Sequence, residues 1–124
     1  MTESIIQHGK YCLLTGVSNV PLHKHHCLTG GLRGFADREG LFVYLSWMVH
    51  RKLHDTPEFE IELKRIAQYY FELTHTREEW MNKVHKNYLA SPLTQVELDK
   101  YNLCPNAEEF DIEAFDIQDL LKGN

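Results

Sequence analysis

The chain has 124 residues, 43% of them hydrophobic and 25% charged, which fits one globular domain with a modest core rather than a disordered or fibrous chain. Its formal charge of -5 is unevenly placed: residues 1 to 90 carry 11 Lys and Arg against 10 Asp and Glu, whereas residues 91 to 124 carry 2 against 8. That balance argues against a large basic surface without excluding a nucleic-acid ligand for the near-neutral part. Three cysteines, Cys12, Cys27 and Cys104, are too irregularly spaced for a disulfide scaffold and are expected to be reduced, and with neither a leader-like segment nor a span-length apolar run a soluble cytoplasmic protein is expected.

Residues 5 to 14 read as a short strand or extended entry, with Ile5, Ile6, Tyr11, Cys12, Leu13 and Leu14 broken by Gly9 and Gly16, and residues 15 to 19 read as a turn. Next comes Leu22-His23-Lys24-His25-His26-Cys27, answered later by His50 and His54, so that five of the eight histidines fall in two clusters. If residues 20 to 27 form a strand, alternation sends His23 and His25 to one face and His26 to the other. If His50 begins a helical segment, His54 lies one turn further on the same face. A strand histidine with such a pair gives three nitrogen ligands and one open coordination position, the layout of a catalytic rather than a structural metal. His26 is then left beside the metal to take a proton from water. Two histidines four apart are by themselves more often ordinary surface side chains; the adjacent pair in the strand strengthens the metal reading.

Thr29-Gly30-Gly31-Leu32-Arg33-Gly34 reads as a flexible loop near a ligand, from which Arg33 and Arg38 could reach a phosphate. The apolar run from Gly40 to Trp47 is the strongest strand in the chain and leads directly into His50 and His54. Strand, loop, strand and helix together make a ββα arrangement around a metal. Thr56-Pro57 opens a helix whose stripe of Phe59, Leu63, Ile66, Ala67, Tyr70 and Leu73 is core. Thr76-Arg77-Glu78-Glu79 is a capping box before Trp80, Met81, Val84 and Tyr88, with His75 and His85 structural or exposed. Residues 94 to 101 suggest a short helix, and Asn106 would cap a last one carrying Phe110, Ala114, Ile117 and Leu121.

His25-His26 with Gly30, the strand containing Val43-Tyr44-Leu45, and His50 with His54 resemble the HNH (ββα-metal) endonucleases. From Tyr11 to Leu89 the chain is similar to small phage-encoded HNH nucleases, which share an HHxxxG segment, an arginine, a GLxVxL strand and a helix pair ending near NYL, here Asn87-Tyr88-Leu89. The resemblance implies an α+β fold with a ββα-metal (HNH-like) core followed by helices, residues 1–90 forming the nuclease domain and residues 91–124 an acidic, partly helical C-terminal extension. It implies His25, His50 and His54 as ligands of one divalent ion (Zn, Mn, Ni, Co or Mg), His26 as the general base, and the cytoplasm of a bacterial host cell as the setting. Substrate contacts would come from His23, Lys24, Arg33, Arg38 and Arg51, with Lys52 beside them on the backbone. Where many relatives place two Cys-x-x-Cys pairs around a structural zinc, this chain has Cys12 with Thr15 and Ser46 with Val49, so helix packing is expected to replace that zinc. An asparagine that often orients the base in this fold would fall near Leu41, where there is no amide.

The function expected on these grounds is metal-dependent hydrolysis of phosphodiester bonds, with DNA favoured over RNA by the resemblance alone. A rival reading is a phage-type inhibitor or adaptor with a vestigial HNH-like fold, whose acidic C-terminal segment binds a protein partner, an enzyme that acts on nucleic acid. No membrane partner is expected.

Overall fold

A computed structural model describes residues 2–53 and 56–99, so the expectations for His54, Cys104, Asn106 and the chain from residue 100 onward lie outside the described residues. Leu41, Phe42, Val43 and Leu45 are fully buried, as expected for β-branched and aromatic residues on a pleated surface. The last three lie in β2 (Phe42–Ser46), which pairs antiparallel with β1 (Leu22–His26). In this register His23 lies opposite Leu45, Lys24 opposite Tyr44, His25 opposite Val43 and His26 opposite Phe42.

Between the strands the expected flexible loop is mostly helical. A short 3-10 turn at Gly30–Leu32 runs into α1 (Arg33–Glu39). The helix forms because Phe35 and Ala36 bury one face, and it stops at Gly40, which takes φ 74° and donates its N–H back to Ala36 and Asp37. Helix α2 (Trp47–Leu53) begins directly after β2, three residues before His50. The main core helix, α3 (Pro57–Phe71), buries Phe59, Leu63, Ile66, Ala67 and Phe71. Pro57 opens it as expected, but the Thr56 side chain makes no capping hydrogen bond. Leu73 lies beyond its last turn and is exposed, so the apolar stripe ends earlier than expected.

The capping box at Thr76 and Glu79 is formed in both directions and opens α4 (Arg77–Val84). His85 ends that helix in the left-handed conformation, φ 67°, so Tyr88 falls after the helix rather than on it. Phe71 joins the helices, its ring 5.7 Å from Phe35 of α1 and 5.7 Å from Trp80 of α4. Helix α5 (Gln95–Asp99) is tied to α3 by Arg65 and Glu97 at 3.4 Å.

Residues 5 to 14 form no strand, one of the two readings that their apolar residues allowed. Polar side chains of the N-terminal segment reach the open edge of β2 instead: Ser4 Oγ donates to Phe42 O at 2.6 Å and Gln7 Oε1 accepts from Tyr44 N at 2.7 Å. Ile5 N to Gly40 O at 3.0 Å and Leu13 N to Tyr44 O at 2.9 Å complete the attachment. An edge satisfied in this way offers fewer free groups for pairing with another chain. Among the described residues the fold is therefore α+β, a two-stranded antiparallel sheet with five α-helices. No helix among them is long and apolar enough to cross a membrane.

Candidate functional site

Alternation along β1 sorts its side chains between two sets of helices. His23 and His25 meet His50 of α2: the His50 ring lies 5.6 Å from His23 and nearly parallel to it, and 5.4 Å from His25 in an edge-on arrangement. His25 Nε2 also lies 3.1 Å from Glu60 Oε1, in the first turn of α3. On the other face His26 Nε2 lies 3.0 Å from Asp37 Oδ1 of α1, and Lys24 Nζ lies 3.3 Å from the same oxygen. The two faces meet in a cleft of about 360 Å³ whose walls include His25, His26, His50, Glu60, Lys24 and Arg33.

These partners fix the chemistry of each ring. A carboxylate only accepts, so each Nε2 that meets one carries the hydrogen and the opposite nitrogen, Nδ1, holds the free lone pair of the neutral imidazole. In their neutral forms His25 and His26 thus present the same nitrogen on opposite faces of the strand. The His26 hydrogen bond, with the Lys24 ammonium beside it, holds the Asp37 carboxyl below the usual carboxylate range. Burial, reinforced by the nearby Glu60 charge, pushes the Cys27 thiol well up, so Cys27 is a neutral part of the core and no thiolate ligand.

The predicted residues are brought together unevenly. His23, His25, His26, His50, Lys24 and Arg33 surround the cleft or touch its walls. Arg38 is exposed in the last turn of α1 and is not among the lining residues. The Arg51 guanidinium lies 4.7 Å over the exposed Trp47 ring. Cys12 and Thr15 sit in the buried turn where Cys12 N donates to Val17 O, and Ser46 Oγ accepts from Val49 N at the start of α2. Asp37 and Glu60 were not expected at the site, although both carboxylates hydrogen-bond a site histidine.

Compared with protein-family models, curated proteins and solved structures, the chain matches none. The donor chemistry can still be tested against a metal ion. Two imidazoles held by one tetrahedral ion at 2.0–2.1 Å stand about 5 Å apart between ring centres, close to the 5.4 Å between His25 and His50. A ligating imidazole commonly gives its other nitrogen to a carboxylate, as His25 does to Glu60. Among the described residues no three His, Cys, Asp or Glu side chains are grouped to hold a metal, and the third predicted ligand, His54, lies outside those residues. The spacing of His25 and His50 and the Glu60 contact are thus compatible with the imidazole donors expected from the sequence.

Proposed function

We propose that this chain is a metal-dependent phosphodiesterase of the HNH (ββα-metal) type that cleaves nucleic acid, DNA in the first instance. The observation that carries this reading is the pair of successive histidines with different partners: His25 against His50 and Glu60, and His26 against Asp37, all beside one cleft. The order β1, β2, α2 beneath these side chains is compatible with that family's core.

In this mechanism Asp37 holds the His26 ring by Nε2, and His26 Nδ1 takes a proton from water as its oxygen attacks phosphorus. The phosphorus–oxygen bond opposite the attack breaks, and the departing oxygen takes a proton from solvent. His25 and His50 would hold the divalent ion, which would supply neutralisation of the charge that grows on the phosphate. Glu60 keeps His25 turned, and Lys24 and Arg33 at the cleft attract the phosphodiester without reading base sequence.

Incubating plasmid with the purified chain and Mn, Mg, Ni or Zn tests this reading. Cleavage is expected with at least one ion, and His26→Ala is expected to lower it by about 100- to 10,000-fold, the usual contribution of a general base, while metal affinity measured by calorimetry stays near wild type. Cleavage at an undiminished rate in His26→Ala would overturn the assignment of the base, and absence of any ion-dependent cut would overturn the nuclease reading.

A further inference from the structure

The face of the sheet that carries His26 does not end at the cleft. Cross-strand pairing places Tyr44 opposite Lys24 and Phe42 opposite His26, and directly opposed residues share a face. Tyr44, Lys24 and His26 therefore share one face over the buried Phe42 ring, with Lys24 and His26 about 6.6 Å apart along the strand. Contacts follow this order: the Phe42 and Tyr44 rings are 6.0 Å apart, Lys24 Nζ is 4.3 Å from the Phe42 ring centre, and Lys10 Nζ is 5.7 Å from that of Tyr44.

Past Lys24 the patch opens into a second and larger groove of about 600 Å³, walled by Ser4, Gln7, His8 and Lys10 on one side and by Tyr44 and Lys24 on the sheet. Lys24 lines both hollows, so the two are contiguous through a single side chain. The wall is built in advance of any ligand, because Ser4 and Gln7 are hydrogen-bonded to the edge of β2. Two ammonium groups and one imidazole line the groove against a single acid, Glu3. The Lys24 ammonium pairs with the exposed Asp37 carboxylate, and ion pairs of that kind are weak enough to be exchanged for a phosphate.

We infer that this groove is the track along which an unpaired polynucleotide strand is led into the His26 cleft. The inference rests on the nuclease reading for its direction, and on the groove's own chemistry for its ligand. Cations spaced along a hollow follow a phosphate backbone, and an aromatic side chain among them offers a surface on which a base stacks. In a duplex both faces of each base are already stacked, so Tyr44 selects the unpaired strand. Lys10, which lies over Tyr44 in the free protein, moves to a phosphate when a base takes its place.

The test uses the full chain without added metal and fluorescein-labelled strands of equal length, oligothymidine, oligouridine and a hairpin duplex, followed by anisotropy across a salt series. Wild type is expected to bind the single strands more tightly than the duplex. Lys10→Glu and Tyr44→Ala should each weaken single-strand binding about tenfold, and Lys10→Glu should also lower the steepness of the salt dependence by about one phosphate contact. A tighter grip on either sugar supports the track and names its substrate. Equal affinity for duplex and single strand, or unaltered single-strand binding in both variants with circular dichroism unchanged, would overturn it.

Hydrolysis of bis(p-nitrophenyl) phosphate with Mn keeps the two readings apart, because that molecule is too small to reach Lys10. Lys10→Glu should hydrolyse it at the wild-type rate while losing about tenfold in kcat/KM on a long strand. If the long strand is cut equally well by both proteins, the track fails and the nuclease stands. If wild type hydrolyses neither substrate but still loses single-strand binding in Lys10→Glu, the nuclease fails and the groove stands as a binding site.

Discussion

Asp37 serves two cationic or hydrogen-donating neighbours from one exposed position, and its role differs from a surface ion pair because one of them, His26, is largely enclosed. The bond sets which nitrogen of His26 faces the cleft, so its loss would leave the ring free to turn and to exchange tautomers. Asp37→Ala is expected to lower kcat for cleavage about 10- to 100-fold, as the loss of a partner that orients a site histidine does, with little change in metal affinity. Asp37→Asn, whose Oδ1 still accepts, should recover part of that loss; equal kcat in wild type and Asp37→Ala would show that the ring is oriented by something else. Neither carboxylate partner was legible in the sequence as a site residue. For Asp37 the signal was present: Leu32, Phe35 and Ala36 are spaced i, i+3, i+4, the mark of a helix face, but Gly30, Gly31 and Gly34 outweighed it. Glu60 is in sequence one acidic residue among several in a helix first turn, and the packing of α3 under β1 brings it to His25.

Between elements, α3 holds the segment after α4 through side chains rather than through a ladder. Gln68 is fully buried and uses its whole amide: Oε1 accepts from Tyr88 N at 2.7 Å, while Nε2 donates to Glu72 Oε2 at 2.7 Å and to Asn87 Oδ1 at 2.8 Å. Arg65 Nη1 adds a bond to Tyr88 O at 2.8 Å, and Trp80 Nε1 one to Lys86 O at 2.8 Å. Gln68→Leu would keep the volume and strand the Tyr88 N–H, so a loss of about 1–3 kcal/mol is expected, read by urea denaturation; no loss would mean that water replaces the amide. The capping box gives a pH signature. The Thr76 backbone N–H, with the Thr76 hydroxyl and the nearby His75, holds the Glu79 carboxyl below its ordinary value of 4.5. A carboxyl depressed in the folded state stabilises it above the unfolded value, and that contribution is lost as pH falls through the lower folded value. Wild type should therefore lose more stability than Glu79→Gln between pH 5 and the acid limit of folding, measured by thermal melts at stepped pH; parallel curves would rule out the linkage. The capping box and Pro57 were legible because they are local chemistry, whereas the unused cap at Thr56 and the early stop at His85 depend on where neighbouring elements lie.

For the molecule as a whole, the N-terminal segment determines how much of the sheet is accessible, and Gly40 is the point on which its attachment turns. Gly40 has φ 74°, and a methyl group there would run into Glu3 O and crowd Ile5. Gly9 also has a positive φ, 97°, but has nothing within 4 Å of that position. Gly9→Ala should thus carry only the conformational cost of about 1–2 kcal/mol, and Gly40→Ala that cost together with displacement of residues 3 to 5. Amide hydrogen exchange at Ile5 is expected to speed up in Gly40→Ala and to stay protected in Gly9→Ala; the same protection in both would mean that the segment accommodates the methyl group. The sequence disclosed the two strands, the helices opened by Pro57 and by the Thr76 capping box, and the histidine cluster, since each rests on periodicity or local spacing. It did not disclose the N-terminal wall, because Ser4 and Gln7 bond to residues 37 or 38 positions away and follow no period.

The division of β1 between two sets of partners has a consequence for how this chain can vary. Odd-numbered positions of the strand look toward α2 and α3 and even-numbered ones toward α1, so the address of each imidazole is a matter of parity. A lone inserted or deleted residue ahead of His25 would exchange the audiences of the two histidines while leaving every side chain chemically intact, whereas a change of two would return each to its own side. Length in this strand is thus quantised in pairs.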